Sequence, residues 1–193
     1  MAKREILVCG DPRLRRKALP VRDFSEDLAQ LVQDMVEAMV EADGLGLAAP
    51  QVGEAAQVIV LRREDDPDAA PVCLVNPKTV KAEGEVQQTE GCLSLPTLYG
   101  HVLRPESAVV AGYTPEGEEL EVTGEGRLAQ ALMHEIDHLR GKLFIDRVLP
   151  DSLRWLVPDP EEEDGYRFEP TDLPEAMAAF ERLRQKREER GGR

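Results

Sequence analysis

Two histidines spaced four residues apart, with a glutamate directly after the first, place the strongest constraint on the fold of this chain. His134, Glu135 and His138 belong to the run His-Glu-Ile-Asp-His, within residues 127–140, which are predicted to form an α-helix that ends at Gly141. Because residues four apart lie one turn above each other, the two imidazoles can point at one metal ion. Two imidazoles leave a catalytic metal site one protein ligand short, so a residue elsewhere in the chain has to supply the third.

The third ligand has two candidate sources in the sequence. A downstream carboxylate from residues 161–163 would suit a zincin-like protease, but that acidic run has the composition of a solvated loop. Cys92 follows Gly91, and glycine lets the backbone come close to a bound group. A metal ion would hold the Cys92 sulfur as a thiolate at neutral pH, although a single cysteine is more often a buried core thiol. Cys9 and Cys73 lie in apolar, strand-like runs and are interpreted as such core thiols.

Length, charge and cysteine content narrow the class of protein. The length of 193 residues predicts one domain, or one domain with a tail. The chain has 24 basic and 38 acidic side chains, and the resulting net charge of −14 argues against DNA binding. Three widely spaced cysteines favour a reducing, cytoplasmic compartment over a disulfide framework. We expect no signal peptide and no membrane span, because the N-terminal apolar run is short and no longer one follows.

Periodicity divides the chain into helical and strand-forming segments. An apolar stripe over residues 25–42, with Ser25 as N-cap, predicts a helix that ends before the Gly- and Pro-rich segment 44–53, which we expect to be an extended loop. The predicted strands are 58–61, 72–75, 107–113 and 119–123. A last helix is expected over 173–190, after an acidic loop at 159–165, with Asp172 and Glu175 resembling a capping box.

Three motifs together resemble the peptide deformylase family, of the bacterial, iron-dependent type. They are Gly-Leu-Gly-Leu-Ala-Ala-Pro-Gln at 44–51, Glu-Gly-Cys-Leu-Ser at 90–94 and His-Glu-Ile-Asp-His at 134–138, in the order of the family. The resemblance implies an α+β fold in which antiparallel β-sheets surround a central metal-bearing α-helix, with further helices at the N- and C-terminal ends. It also implies a catalytic domain over residues 1–155. Residues 156–193 are expected to form an extension, packed on that domain or projecting from it.

The activity implied by the resemblance is hydrolysis of the N-formyl group from the initiator methionine of newly synthesised proteins, with release of formate. The family's metal ligands correspond to Cys92, His134 and His138, which would hold one divalent ion. The family's native ion is Fe²⁺, but the donors alone do not distinguish it from Zn²⁺, Ni²⁺ or Co²⁺. Glu135 would take a proton from the attacking water and return it to the leaving amine.

The remaining site residues also come from the resemblance. The Gln51 side-chain amide and the Leu93 backbone N–H would stabilise the developing oxyanion. Leu45 and Gly46 would pair with the substrate backbone, and Gly91 and Ala131 are further candidate substrate-binding residues.

Partners and supporting contacts follow from the same family. Glu90 and Arg104 would form an ion pair that supports the cysteine loop. The partners would be formyl-methionyl nascent polypeptides, and a basic cluster in the last helix suggests contact with the ribosome. The cluster consists of Arg182, Arg184, Lys186, Arg187, Arg190 and Arg193.

Two other functions remain open at this point. A metallopeptidase could use the His134 and Glu135 pair to cut internal amide bonds, and it would need a downstream carboxylate in place of Cys92. A metal-binding or ribosome-associated protein could keep the scaffold without the activity. The simultaneous presence of Gln51, Leu93, Glu135 and all three ligands argues against this last alternative.

Overall fold

The computed structural model describes residues 4–63 and 69–191, and these form an α+β fold as expected. Among them are three α-helices, α1 (Glu26–Glu41), α2 (Gly126–Leu139) and α3 (Leu173–Gly191). The nine strands of the described residues are β1 (Gly46–Ala48), β2 (Val58–Leu61), β3 (Val72–Glu83), β4 (Val86–Cys92), β5 (Leu95–Arg104), β6 (Ser107–Tyr113), β7 (Glu119–Glu125), β8 (Arg154–Pro158) and β9 (Tyr166–Pro170). Short 3-10 turns are Pro12–Arg15, Ala49–Val52 and Phe144–Asp146.

The first sheet has five antiparallel strands in the order β1-β2-β3-β6-β7. Strand β2 is buried on both faces because α1 and α2 cover opposite sides of the sheet. Val58 and Val60 belong to the core on the α1 side, whereas Ile59 and Leu61 belong to the core on the α2 side. The alternation of side chains along a strand thus produces one continuous apolar run with two packing partners.

The second sheet has four antiparallel strands in the order β4-β5-β8-β9. A register shift between Gly91 and Cys92 interrupts the pairing of β4 with β5 at the cysteine. One face of this sheet packs on α3, where Trp155 of β8 lies 5.5 Å from Phe180 between ring centroids. Residues of β5 and α3 share this core, including Leu95, Leu98, Val102, Ala176 and Phe180.

Helix α2 is the central element, as the sequence predicts for the metal-bearing helix. Its apolar residues Leu132, Ile136 and Leu139 pack against the five-stranded sheet. The N-terminal segment links the two motif loops, because the backbone N–H of Leu7 donates to the carbonyl of Gln51 at 2.7 Å and that of Cys9 donates to Ser94 at 2.8 Å.

Several predicted elements are confirmed and others need correction. The helices predicted at 25–42 and 127–140 form as α1 and α2, and Ser25 is the N-cap of α1. At the start of α3, the backbone N–H of Glu175 donates to the Asp172 carboxylate. Segment 44–53 is only partly a loop, since it contains β1 and a 3-10 turn. Cys9 is buried as expected but lies in a turn instead of a strand. Strand β3 extends well past residue 75 and includes Cys73.

The C-terminal part contains more regular structure than its composition suggests. The acidic run at 159–165 is a loop as expected, and it connects the two strands of a hairpin, β8 and β9, that the sequence did not predict. Across residues 4–63 and 69–191, no helix has both the length and the apolar character needed to cross a membrane.

Candidate active site

The last residue of β4 and two residues of α2 bring three metal-ligand atoms together. Sγ of Cys92 and one ring nitrogen each of His134 and His138 all lie within 4.8 Å of one another. Sγ of Cys92 is 3.3 Å from Nε2 of His138, which is 3.2 Å from Nε2 of His134. The helical spacing aligns the two imidazoles, and the irregular pairing at the end of β4 turns the cysteine towards them.

Glu90 determines which nitrogen of His134 faces the cluster. Its Oε2 lies 2.8 Å from Nδ1 of His134. Burial raises the pKa of Glu90, but hydrogen bonds with His134 and Arg104 outweigh it and lower the pKa to about 2. Because an ionised carboxylate only accepts hydrogen bonds, Nδ1 of His134 donates to it and Nε2 points at Cys92 and His138.

The donor set fits a metal cation. Burial lowers the pKa of His134, but hydrogen bonds with Cys92 and Glu90 outweigh it and raise the pKa well above its usual value, so positive charge is favoured here. Burial lowers the pKa of His138 well below its usual value, so that imidazole is neutral and has a nitrogen lone pair for a metal ion. Two nitrogens and a sulfur that converge this closely are stabilised by a cation between them, either a proton or a metal ion. One thiolate and two imidazoles are suitable ligands for a divalent transition metal.

Behind the ligands lies a network of four charged side chains, of which three are buried and Arg147 is partly exposed. Arg104 donates from Nε and Nη2 to the two carboxylate oxygens of Glu90, at 2.6 and 3.0 Å, as the sequence predicts. Its Nη1 donates to Asp137 at 2.6 Å, and Arg147 makes two hydrogen bonds to the same carboxylate, at 2.6 and 2.9 Å. The network continues to the metal ligands through His134. Arg147 was missed by the sequence analysis because it follows α2 in a segment without a motif.

Gln51 is held with its amide nitrogen towards the cysteine. Its Oε1 accepts a hydrogen bond from the backbone N–H of Ala48 at 2.8 Å, so the Nε2 group is left to donate. Nε2 lies 3.2 Å from Oγ of Ser94 and 3.5 Å from Sγ of Cys92. The 3-10 turn Ala49–Val52 therefore presents a buried, oriented N–H donor beside the ligand cluster.

Glu135 is buried next to the ligands with a free oxygen. Its side chain is 4% exposed, and Oε2 has no hydrogen-bond partner among the described residues. Burial, opposed by the charge of His134, raises the pKa of Glu135 to about 7. A buried carboxyl group with a pKa near neutrality is suited to accept and release a proton.

A cavity of about 770 Å³ connects these groups to the surface. The predicted substrate-binding residues Leu45, Gly46, Gly91 and Ala131 all line it, together with Leu93 and Gln51. Tyr99, Arg127 and Gln130 also line the cavity, although the sequence analysis did not assign them to substrate. A Cβ atom at Gly91 would lie 2.7 Å from Cε1 of Tyr99, so only glycine leaves room for that ring.

Comparison with known protein families gives one consistent result. The profile of the polypeptide deformylase family matches residues 3–153 of the chain. A peptide deformylase from Thermomicrobium roseum is 44% identical over 169 residues, which cover 84% of this chain and 96% of that relative.

Solved structures show the same similarity in three dimensions. A peptide deformylase from Legionella pneumophila has a TM-score of 0.74 and 44% identity, over 77% of this chain and 88% of its own. The Arabidopsis thaliana peptide deformylase 1B, solved in complex with an inhibitor, has a TM-score of 0.76 and 34% identity over 98% of this chain and 94% of its own. This last alignment includes most of the C-terminal hairpin and helix.

Proposed function

The chain belongs to the peptide deformylase family, and on that basis we propose how its own residues carry out the reaction of the family. The reaction is the metal-dependent removal of the N-formyl group from an N-terminal formylmethionine, which makes the protein a hydrolase of the formyl amide. One observation supports the assignment of roles above all others. Cys92 and His134, two of the three converging ligands, line the same cavity as Glu135 and Gln51.

The metal site consists of Cys92, His134 and His138, holding one divalent ion. Fe²⁺ is the proposed native ion, and the same borderline donors accommodate Zn²⁺, Ni²⁺ or Co²⁺ in the isolated protein. A divalent ion bound at such a site lowers the pKa of water and draws electron density from a carbonyl oxygen. The carboxylate of Glu90 supports the assignment, since it orients His134 and strengthens that nitrogen as a ligand.

Glu135 carries the proton between the two halves of the reaction. Its carboxylate takes a proton from the water molecule as the oxygen adds to the formyl carbon, and it then gives this proton to the departing amine nitrogen. The C–N bond breaks as the nitrogen is protonated, and formate leaves. Burial supports this role because a desolvated carboxylate has a raised pKa and accepts a proton readily.

Gln51 and Leu93 stabilise the negative charge that develops on the formyl oxygen. The Nε2 group of Gln51 and the backbone N–H of Leu93 are the proposed donors, as in the family. Support comes from the fixed orientation of Gln51, whose other amide atom is held by Ala48, so that no reorganisation is needed during the reaction.

The substrate main chain is proposed to pair with Leu45 and Gly46. Strand β1 is at the edge of the five-stranded sheet, where β2 is its one partner among the described strands. An extended peptide can add to such an edge through backbone hydrogen bonds. Gly91 and Ala131 would then bound the space for the methionine side chain on the other walls of the cavity.

Domain organisation, location and ribosome contact are further parts of the proposal. Residues 1–155 form the catalytic domain, and 156–193 form an extension that packs on it through Ala176 and Phe180. We place the enzyme in the bacterial cytoplasm, where its formylated substrates are made and where unpaired cysteines persist.

The basic side chains of α3 are the proposed ribosome contact. Arg182 and Lys186 are exposed there, whereas Arg187 contacts Glu5. Arg193 and the side chain of Arg190 lie outside the described residues. Co-sedimentation with ribosomes at low salt, with and without the residues after Phe180, tests this contact.

Formate release tests the proposed reaction. Protein purified anaerobically with ferrous iron should release formate from a formyl-methionyl tripeptide and leave the acetyl-methionyl analogue intact. A peptide with internal amide bonds serves as a second control, because a metallopeptidase would cut it. Absence of formate from the metal-loaded protein would contradict the proposal.

A further inference from the structure

The outer face of the four-stranded sheet begins at the catalytic cavity. In the strand register Tyr99 lies opposite Gly91 on one side and opposite Arg154 on the other. Because side chains on a strand alternate between faces, Leu156 and Pro158 share the face of Arg154. Their partners on β9 are Phe168 and Tyr166, which belong to the same face.

This face carries an exposed aromatic strip, which we define as Tyr99, Leu156, Pro158, Tyr166 and Phe168. Tyr99 and Phe168 pack edge to face with 5.6 Å between ring centroids. Even so, Phe168 is 49% exposed and Tyr166 is 53% exposed. The opposite face of the same strands is covered, since Trp155 packs on Phe180. A contiguous exposed apolar patch of this kind is typical of a binding surface.

The aromatic strip is continuous with the cavity through Tyr99, which belongs to both. Neighbouring strands lie about 4.8 Å apart, so the strip extends roughly 10 Å beyond β5 to β9. An extended peptide advances about 3.3 Å per residue, so this distance corresponds to about three residues.

We propose that the aromatic strip binds the part of the nascent polypeptide that follows the residues inside the cavity, with a preference for apolar or aromatic side chains there. The inference rests on the proposed function, because the substrate is then the N-terminus of a long polypeptide whose following residues have to leave the cavity. Arg127 and Gln130 line the α2 wall and are polar, whereas the Tyr99 wall leads through the ring of Phe168 onto an apolar surface beside the exposed Arg154. The occupant is therefore the substrate itself and not a second protein.

Two substrates and four variants test the proposal. The substrates are a formyl-methionyl tripeptide, which ends inside the cavity, and an octapeptide with the same first residues and leucine or phenylalanine at positions five to seven. The variants are Phe168→Ser and Tyr166→Ser, with Val80→Ser as the matched control because Val80 is 58% exposed on the other sheet. Phe168→Tyr keeps the aromatic contact and should behave as the parent.

The expected result is a loss confined to the long substrate. Each serine variant should lower kcat/KM for the octapeptide by about fivefold, through KM, because an aromatic contact is lost. The value for the tripeptide should stay within twofold, and Val80→Ser should change neither. An equal loss on both substrates, or no loss on either, would overturn the proposal. The tripeptide separates direct binding from an indirect effect, because a Tyr99 ring displaced by the loss of Phe168 would lower kcat/KM for both substrates.

A binding measurement separates this proposal from the proposed reaction. The anisotropy of a fluorescent acetyl-methionyl octapeptide reports binding without turnover. Weaker binding to Phe168→Ser than to Val80→Ser supports peptide binding by the aromatic strip, even if no formate is released. Equal affinity of the two variants overturns the proposal, even if the deformylase activity is confirmed.

Discussion

Gly46 and Glu135 lie so close together that a Cβ atom on residue 46 would come 2.5 Å from Oε1 of Glu135. The same Cβ would lie 3.0 Å from the carboxylate carbon, so a rotation of the carboxylate alone would not relieve the contact. Glycine at position 46 thus allows the edge strand β1 to pass directly over the proposed proton carrier. The first and third sequence motifs therefore meet at this contact.

Replacing Gly46 with alanine should displace Glu135 while the metal ligands stay in place. We expect kcat to fall by about 10- to 100-fold, because small displacements of a catalytic group have effects of this size. Metal content, measured by elemental analysis, should match the parent. Val80→Ala is the control, since Val80 is 58% exposed on β3 and does not line the cavity. Full activity of the alanine variant at position 46 would contradict the close contact.

The Glu135→Gln variant should bind metal normally but lose activity. An amide of the same shape fills the buried position but does not accept the proton from water, so we expect a decrease of roughly 10²- to 10⁴-fold in formate release. Elemental analysis and the activity assay on the same preparation check both parts. Activity within tenfold of the parent would exclude Glu135 as the proton carrier.

Glu90→Gln should weaken metal binding by about 10- to 100-fold, because His134 loses the ionised acceptor that orients it. Competition with a chelator measures the dissociation constant. Glu121→Gln, on the exposed part of β7, removes the same charge at a distance and should leave the constant unchanged. An unaltered constant in the Glu90 variant would show that the carboxylate does not support the ligand.

Arg104 and Arg147 should differ strongly in their effect on stability. Arg104 is 3% exposed and bridges Glu90 to Asp137. Arg104→Met leaves the buried Glu90 without its arginine and Asp137 with Arg147 alone, and it should cost about 3–5 kcal/mol of unfolding free energy. The side chain of Arg147 is 37% exposed, and Asp137 keeps Arg104 when it is removed, so Arg147→Met should cost only about 1 kcal/mol. Urea unfolding at a fixed metal concentration compares them, and equal losses would contradict this order.

Cys9 and Cys73 should react slowly with alkylating reagents in the folded protein. Burial raises the pKa of each thiol to about 11. The thiolate is the reactive form, and at pH 8 only about one Cys73 side chain in a thousand is a thiolate, so alkylation should be slow. The rate should rise about tenfold per pH unit up to pH 10. Peptide mapping after iodoacetamide treatment measures this, with guanidinium-unfolded protein as the fast control. A rate at pH 8 equal to that of the unfolded chain would contradict the shift.

The sequence determined those features that depend on short stretches of the chain. Apolar periodicity predicted α1, α2 and α3 because each helix buries one stripe of its own residues. The spacing of His134 and His138 predicted paired imidazoles for the same local reason. The motif resemblance supplied Cys92 as third ligand, and the structure brings its sulfur within 3.3 Å of His138.

Which distant segments meet depends on the tertiary structure. Composition did not reveal β8 and β9, since their sequence is too polar and their stability comes from pairing with β5 and packing on α3. Nor did any local pattern indicate that Arg147 would bind Asp137 or that Phe168 would contact Tyr99. Periodicity reports how a segment is buried, whereas the partner across each contact is chosen by the packing of the whole chain.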